Sequence, residues 1–213
     1  MHLNVTCVSG NRPDKWDDNT PYPLADYRGK TVNNFGSGYV LEVSPGLSTY
    51  DEDGCPCYEC KNAESKADDF WQMAVHTTRH MVFDEMEAEK CVVTLGDCLQ
   101  NGIDDATKLI GGKIFQADTK SNNIILLFFS HDDVLGERLE SFCNERFKIG
   151  RQLRQKFSDF QNILGPVFLI SYQHGAVKVV TVGELKDKKG ESVLHTAASF
   201  PGSSGGLLLT FGE

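Results

Sequence analysis

Phe200-Pro201-Gly202-Ser203-Ser204-Gly205-Gly206-Leu207-Leu208-Leu209-Thr210 is the stretch on which the reading of this chain turns. Gly-Ser-Ser-Gly-Gly alone resembles a flexible linker, but a linker lacks the flanking Phe-Pro and the apolar strand that follows. Glycine reaches positive φ without steric cost and lets another backbone approach closely. A tight turn here can therefore aim the amides of Gly202 and Ser204 at one point beside the Ser204 hydroxyl. Two N–H donors so placed stabilise the oxyanion of acyl transfer, by roughly 3–4 kcal/mol for each donor.

A serine nucleophile needs a base, and the order of residues narrows the choice. The six histidines, His2, His76, His80, His131, His174 and His195, all precede Ser204. The G-x-S-x-G elbow of α/β-hydrolases expects a helix and then a histidine after the serine. Here the continuation is strand-like and no histidine follows, which excludes that reading. His80 stands just after a strand-like segment, Trp71 to Thr78, and is the candidate base; His76 falls inside that segment.

Several blocks, in this order, resemble the chymotrypsin-like (trypsin-fold) serine proteases. Phe35-Gly36-Ser37-Gly38-Tyr39-Val40 is similar to their opening Gly-Ser-Gly strand, and Thr77-Thr78-Arg79-His80 to their Thr-Ala-Ala-His block. Ser171-Tyr172-Gln173-His174-Gly175 with Val179-Val180-Thr181-Val182-Gly183 is similar to the start of their second barrel. Pro201 to Gly206 resembles the Pro-Gly-x-Ser-Gly-Gly block of members without zymogen activation. The resemblance covers residues 35–213. It implies a mainly all-β fold, a chymotrypsin-like double β-barrel with a helical connector between the barrels. It implies a serine endopeptidase in which Ser204 is the nucleophile, His80 the general base, and Gly202 with Ser204 the oxyanion hole. The alternative is the same fold, catalytically inactive, serving as a binding module.

The same resemblance sets further expectations. The family has an aspartate just before a run such as Ile-Ala-Leu-Leu; here the run is Ile124-Ile125-Leu126-Leu127 and Asn123 precedes it. An uncharged amide at the triad position lowers turnover by roughly 10⁴. Asp118, Asp132 and Asp133 lie close enough in sequence to supply a charge from a shifted register. Ser203 replaces the aspartate of trypsin-like zymogens, so the site is expected to form without proteolytic activation. Ala197 and Ala198 lie where the base of a substrate pocket is approached, which suggests a non-acidic pocket. Glu213 ends the chain nine residues after Ser204, so the second barrel is expected to be incomplete.

Outward from these motifs, the chain divides into an N-terminal extension (1–34), a first β-barrel (35–132), a helical connector (133–165) and a second, truncated β-barrel (166–213). Strands are expected at Tyr39 to Val43, Trp71 to Thr78, Cys91 to Leu95, Lys113 to Gln116, Ile124 to Phe129, Val167 to Tyr172, Val177 to Val182 and Leu207 to Thr210. The run Ile124 to Phe129 is apolar throughout, as in a strand buried on both faces. Between Asp133 and Leu164 the apolar residues recur at steps of three and four, which is helical. Gly136 and Gly150 are possible interruptions, and Gly165-Pro166 a stop.

The length of 213 residues admits one large domain or two small ones. With 40% hydrophobic and 24% charged residues, the composition is that of a globular protein with a core of its own. The net charge of −9 argues against a nucleic-acid partner and against an anionic membrane surface. No apolar run is long enough to span a bilayer and no signal peptide is visible, so a cytoplasmic protein acting on a peptide or protein substrate is expected.

The seven cysteines include Cys55-Pro56-Cys57-Tyr58-Glu59-Cys60, three thiols on an acidic loop. Zinc takes four tetrahedral sulfur or nitrogen ligands, so the loop offers three. Cys91, Cys98 or a histidine could be the fourth. Reduced thiols or a redox-sensitive loop are the other readings, and no further cofactor is expected.

Overall fold

The structure, a computed structural model, describes residues 1–46, 54–95, 107–118, 121–157, 165–189 and 192–210. The fold is mainly β. The strands are β1 (His2–Cys7), β2 (Thr31–Ser37), β3 (Tyr39–Gly46), β4 (Phe70–Thr78), β5 (Cys91–Thr94) and β6 (Lys108–Ile110). They continue with β7 (Lys113–Asp118), β8 (Asn123–Ser130), β9 (Pro166–Tyr172), β10 (Lys178–Lys189), β11 (Ser192–His195) and β12 (Leu207–Thr210). The helices are α1 (Tyr58–Lys61), α2 (Glu85–Glu89) and α3 (Asp133–Lys156).

The strands form three four-stranded antiparallel sheets, ordered β2-β1-β5-β6, β3-β4-β8-β7 and β11-β10-β9-β12. None closes on itself into a barrel among the described residues. The first two sheets share one core. Leu3, Val5, Val93 and Leu109 of the first sheet pack with Val43, Met73, Val75, Ile124, Leu126 and Phe128 of the second. The third sheet has a small core of its own, Val167, Leu169 and Ala197, with Leu185 and Leu208 against it. Its other face leaves Val180, Val182 and Leu194 exposed.

Strand β8 departs from its expected burial. Its residues alternate, with Ile124, Leu126 and Phe128 buried and Ile125 and Leu127 half-buried. The apolar run therefore belongs to an antiparallel sheet with one face in the main core, between β4 and β7. Residues 1–34 are no appendage either. β1 lies between β2 and β5, with Leu3 and Val5 fully buried. Its six residues alternate too briefly, among polar neighbours, to stand out in sequence.

Helix α3 runs without a break through Gly136 and Gly150. Gly136 is a contact, because a Cβ there would lie 2.1 Å from the Trp71 ring. Asp132 caps the helix, its side chain accepting from the Leu135 amide. Leu135, Leu139 and Cys143 join the main core, while Phe142, Phe147, Ile149 and Leu153 remain largely exposed. The expected helical residues 158–164, and Cys98, lie outside the described residues. Among the described residues no helix is long and apolar enough to cross a membrane.

Candidate active site

Ser204 lies in the turn that enters β12, and His80 in the turn that leaves β4. The turn after β4 is closed by Met81 N–H donating to the Thr78 carbonyl at 3.0 Å. This brings His80 Nε2 to 2.9 Å from Ser204 Oγ, both residues being half-buried. The Trp16 ring flanks the imidazole in a T-shaped arrangement, with ring centroids 6.4 Å apart.

The serine turn is held by Ser37, the last residue of β2. Its amide donates to the Ser204 carbonyl at 2.8 Å, and its hydroxyl donates to the Gly202 carbonyl at 2.7 Å. That hydroxyl also accepts from the Tyr172 amide at 2.7 Å, and the Ser37 carbonyl accepts from Thr77 Oγ1 at 2.8 Å. Ser37 thereby ties together one strand from each of the three sheets. Gly205 sits at φ +80°, where a Cβ would lie 2.2 Å from the Ser37 carbonyl oxygen. Gly202 sits at φ +94°, where a Cβ would lie 2.5 Å from the Tyr172 carbonyl oxygen. Both glycines are therefore required by φ and by close approach together.

The carbonyls around Ser204 also orient its amides. The Pro201 carbonyl accepts from the His174 amide at 2.6 Å, and the Ser203 carbonyl from the Gly206 amide at 2.9 Å. In a trans peptide the N–H points opposite to the carbonyl. The N–H groups of Gly202 and Ser204 are thus turned away from those partners. Ser203 is buried, and its hydroxyl accepts from the Phe200 amide and from Ser171 Oγ, each at 3.2 Å. The loop is held at this position by neutral hydrogen bonds.

Asn122, not Asn123, meets the imidazole. Asn122 Nδ2 lies 2.8 Å from His80 Nδ1, and Asn122 Oδ1 accepts from the His80 amide at 3.1 Å. The Asn122 carbonyl also accepts from the Arg79 amide at 2.8 Å. Asn123 instead occupies the first position of β8, paired with Thr78. The correction is one residue and has a local cause. The side chain facing the histidine comes from the turn before the strand, where Asn122 adopts φ 57°. Asparagine tolerates that conformation better than most residues. The doubled asparagine of the sequence hid which of the two meets the histidine.

Among the described residues no carboxylate hydrogen-bonds or ion-pairs with His80. Asp118 accepts from Ser121 Oγ, Asp132 caps α3, and Asp133 accepts from Trp71 Nε1. Burial lowers the His80 pKa below its ordinary value. The Arg12 charge adds to that shift.

The orientation of the Asn122 amide fixes the resting proton. A backbone N–H can only donate, so the group facing it is Oδ1, and the group facing His80 Nδ1 is the amide NH₂. Nδ1 must then accept. The proton of the neutral ring lies on Nε2, which donates to Ser204 Oγ. That is the reverse of the tautomer a general base needs.

Arg12 and Glu87 support the histidine turn from beneath and escaped the sequence reading. Both side chains are fully buried, and they form a two-pronged pair, Nε to Oε1 at 2.7 Å and Nη2 to Oε2 at 2.6 Å. Arg12 Nη1 donates to the carbonyls of His80 and Pro23, at 3.0 and 3.1 Å. Glu87 accepts in addition from the amides of Ser9 and Phe83, at 2.7 and 2.8 Å. A lone arginine in a polar N-terminal stretch gives no sequence signal of such a role.

Ala198 is exposed, and its carbonyl accepts from Thr181 Oγ1 at 2.8 Å and Gln173 Nε2 at 3.4 Å. Ala197 is buried against Gly183, where a Cβ would lie 2.0 Å from the Ala197 nitrogen. A separate apolar cavity of about 470 Å³ lies between α3 and the third sheet, lined in part by Phe147, Leu153, Phe168 and Leu207. It contains neither His80 nor Ser204.

At the other end of the second sheet, Cys55, Cys57, Cys60 and His131 each bring one ligand atom within 4.8 Å of the others. These four residues could hold a metal ion. Cys91 stands elsewhere in the main core, its thiol pushed up to about 12 by burial and, to a lesser degree, by Glu87.

Comparison of the sequence with protein-family models and with curated proteins finds no match.

Proposed function

We propose that this chain is a serine endopeptidase of the chymotrypsin-like, double-β-barrel kind whose turnover is held low by Asn122. The observation that carries the reading is the Ser204–His80 contact of 2.9 Å. Nucleophile and base are within reach, and glycine-shaped peptide planes surround the serine.

In the proposed reaction Ser204 Oγ attacks a peptide carbonyl as its proton passes to His80 Nε2. The amides of Gly202 and Ser204 meet the oxyanion. The protonated imidazole then donates to the leaving amine, and water resolves the acyl-enzyme. For the first step Nε2 must be free of a proton, so the ring proton must sit on Nδ1. Asn122 would then have to turn its amide over, setting its NH₂ against the His80 amide. That cost is the reason low turnover is part of the proposal. Ser203 needs no charged partner, so the reading includes a site formed without proteolytic activation. Ala198 is exposed and uncharged, which fits the expectation of a non-acidic substrate subsite.

The Asn122 amide also favours a second reading, the same fold as an inactive peptide-binding module. A fluorophosphonate probe separates the two. Slow labelling of the wild type, abolished in Ser204→Ala, supports the enzyme. A folded wild type that stays unlabelled at long exposure supports the binding module.

A further inference from the structure

We infer that Cys55, Cys57, Cys60 and His131 form a structural zinc site that fastens residues 54–69, ahead of β4, to the junction of β8 with α3. This inference stands apart from the proposed hydrolysis.

The donor set fits one metal closely. Three thiolates and one imidazole in a compact arrangement are a zinc ligand set by both softness and number. Tetrahedral zinc with its usual bond lengths separates sulfur from nitrogen by about 3.6 Å. His131 Nε2 lies 3.5 Å from Cys60 Sγ and 3.8 Å from Cys57 Sγ. The Cys60 amide points at Cys57 Sγ at 3.3 Å, the kind of N–H donor that supports a metal-bound thiolate. The one-turn helix α1, capped by Cys57, sets that geometry.

A disulfide explains less. All the described cysteines are free thiols, and a bond between any two of the three would leave the third and the histidine without a role. Among the described residues the local core consists of the three cysteines and Phe70, with Ala67 and Phe129 packed against it. A metal held there would join α1 to the end of β8 in addition to that burial. His131 is exposed, which leaves a path for the ion to enter.

The position makes the role structural. Trp71 pairs with Ser130, next to His131, whereas Thr78 pairs with Asn123 at the Ser–His end. Seven residues of strand separate the two ends, about 24 Å. All four coordination positions are filled by protein, so no water-bearing position is open for chemistry.

The test uses the full chain purified under reducing conditions with zinc supplied, then exchanged with cobalt(II). The expected result is about one zinc per chain by elemental analysis. Cobalt should give tetrahedral ligand-field bands and a thiolate-to-cobalt charge-transfer band. His131→Cys should keep the stoichiometry and raise the charge-transfer intensity by about a third, from three thiolates to four. Cys57→Ser/Cys60→Ser should bind under about a tenth of an equivalent. Chelation should speed trypsin cleavage after the exposed Lys61 and Lys66 by loosening the backbone around them. Zinc below about a tenth of an equivalent in the wild type, with no charge-transfer band, overturns the inference. So does a disulfide within residues 55–60, or full zinc content in the double-serine variant. Should that variant fail to fold, an unchanged cobalt spectrum in His131→Cys overturns it instead.

Discussion

Replacing Asn122 by aspartate changes one polar group beside His80 and reverses the proton arrangement there. One carboxylate oxygen keeps the bond from the His80 amide, now 3.1 Å, and the other accepts from Nδ1–H where the amide NH₂ stands at 2.8 Å. Nε2 is then free to accept from Ser204. In the wild type the competent tautomer requires the Asn122 amide to turn over, leaving the His80 N–H facing another donor. An unsatisfied buried donor costs about 1–3 kcal/mol, which lowers the competent population roughly 5- to 150-fold. The missing charge on the imidazolium supplies the remainder of the roughly 10⁴ that an amide at this position costs a serine protease. Asn122→Asp should therefore speed fluorophosphonate labelling by roughly 10² to 10⁴. Aspartate tolerates the φ of 57°, so the fold should survive. The pH profile gives an independent sign. Labelling needs neutral imidazole, and burial places the wild-type His80 pKa below its ordinary 6.5, so wild-type labelling falls only below that pH. A carboxylate favours the charged ring, so the falling limb should move to higher pH in the variant. Asn123→Asp is the control and should change neither rate nor profile. A folded Asn122→Asp variant with less than about a five-fold gain would refute the tautomer account.

Three other perturbations test the scaffold. Arg12→Met leaves Glu87 buried without its partner and should cost about 3–5 kcal/mol in urea unfolding; a cost under about 1 kcal/mol would show that the pair is not closed in solution. Gly205→Ala drives a Cβ to within 2.2 Å of the Ser37 carbonyl at φ +80°, and should abolish labelling. Gly150→Ala meets only Arg154, at 3.7 Å inside α3, and should raise stability by about 0.5–1 kcal/mol; equal effects from the two would contradict the close approach at Gly205.

The serine turn and the histidine turn were legible because their signals are local. Glycines flanking a serine demand a particular backbone, and a histidine at a strand end needs only the strand. Asn122 was not legible, because a one-residue choice between two asparagines depends on where the β7–β8 turn stops and β8 begins. His131 was open only as one histidine among six, since its place beside the cysteine loop depends on the pairing of β4 with β8. Arg12 and Glu87 stand 75 residues apart and meet only after β1 enters the sheet. Strand β8 misled in another way: an uninterrupted apolar run reports attraction to a core, not how many of its faces reach one. The double-barrel architecture remains part of the functional proposal, and the three antiparallel sheets are the level of fold that the backbone itself establishes.

The resting tautomer of His80 is the most direct measure of whether Asn122 restrains this site. Two-bond ¹⁵N–¹H correlations of the labelled imidazole, recorded above its pKa, distinguish a proton on Nε2 from one on Nδ1. The account predicts Nε2–H in the wild type and Nδ1–H in Asn122→Asp. Nδ1–H in the wild type would contradict it.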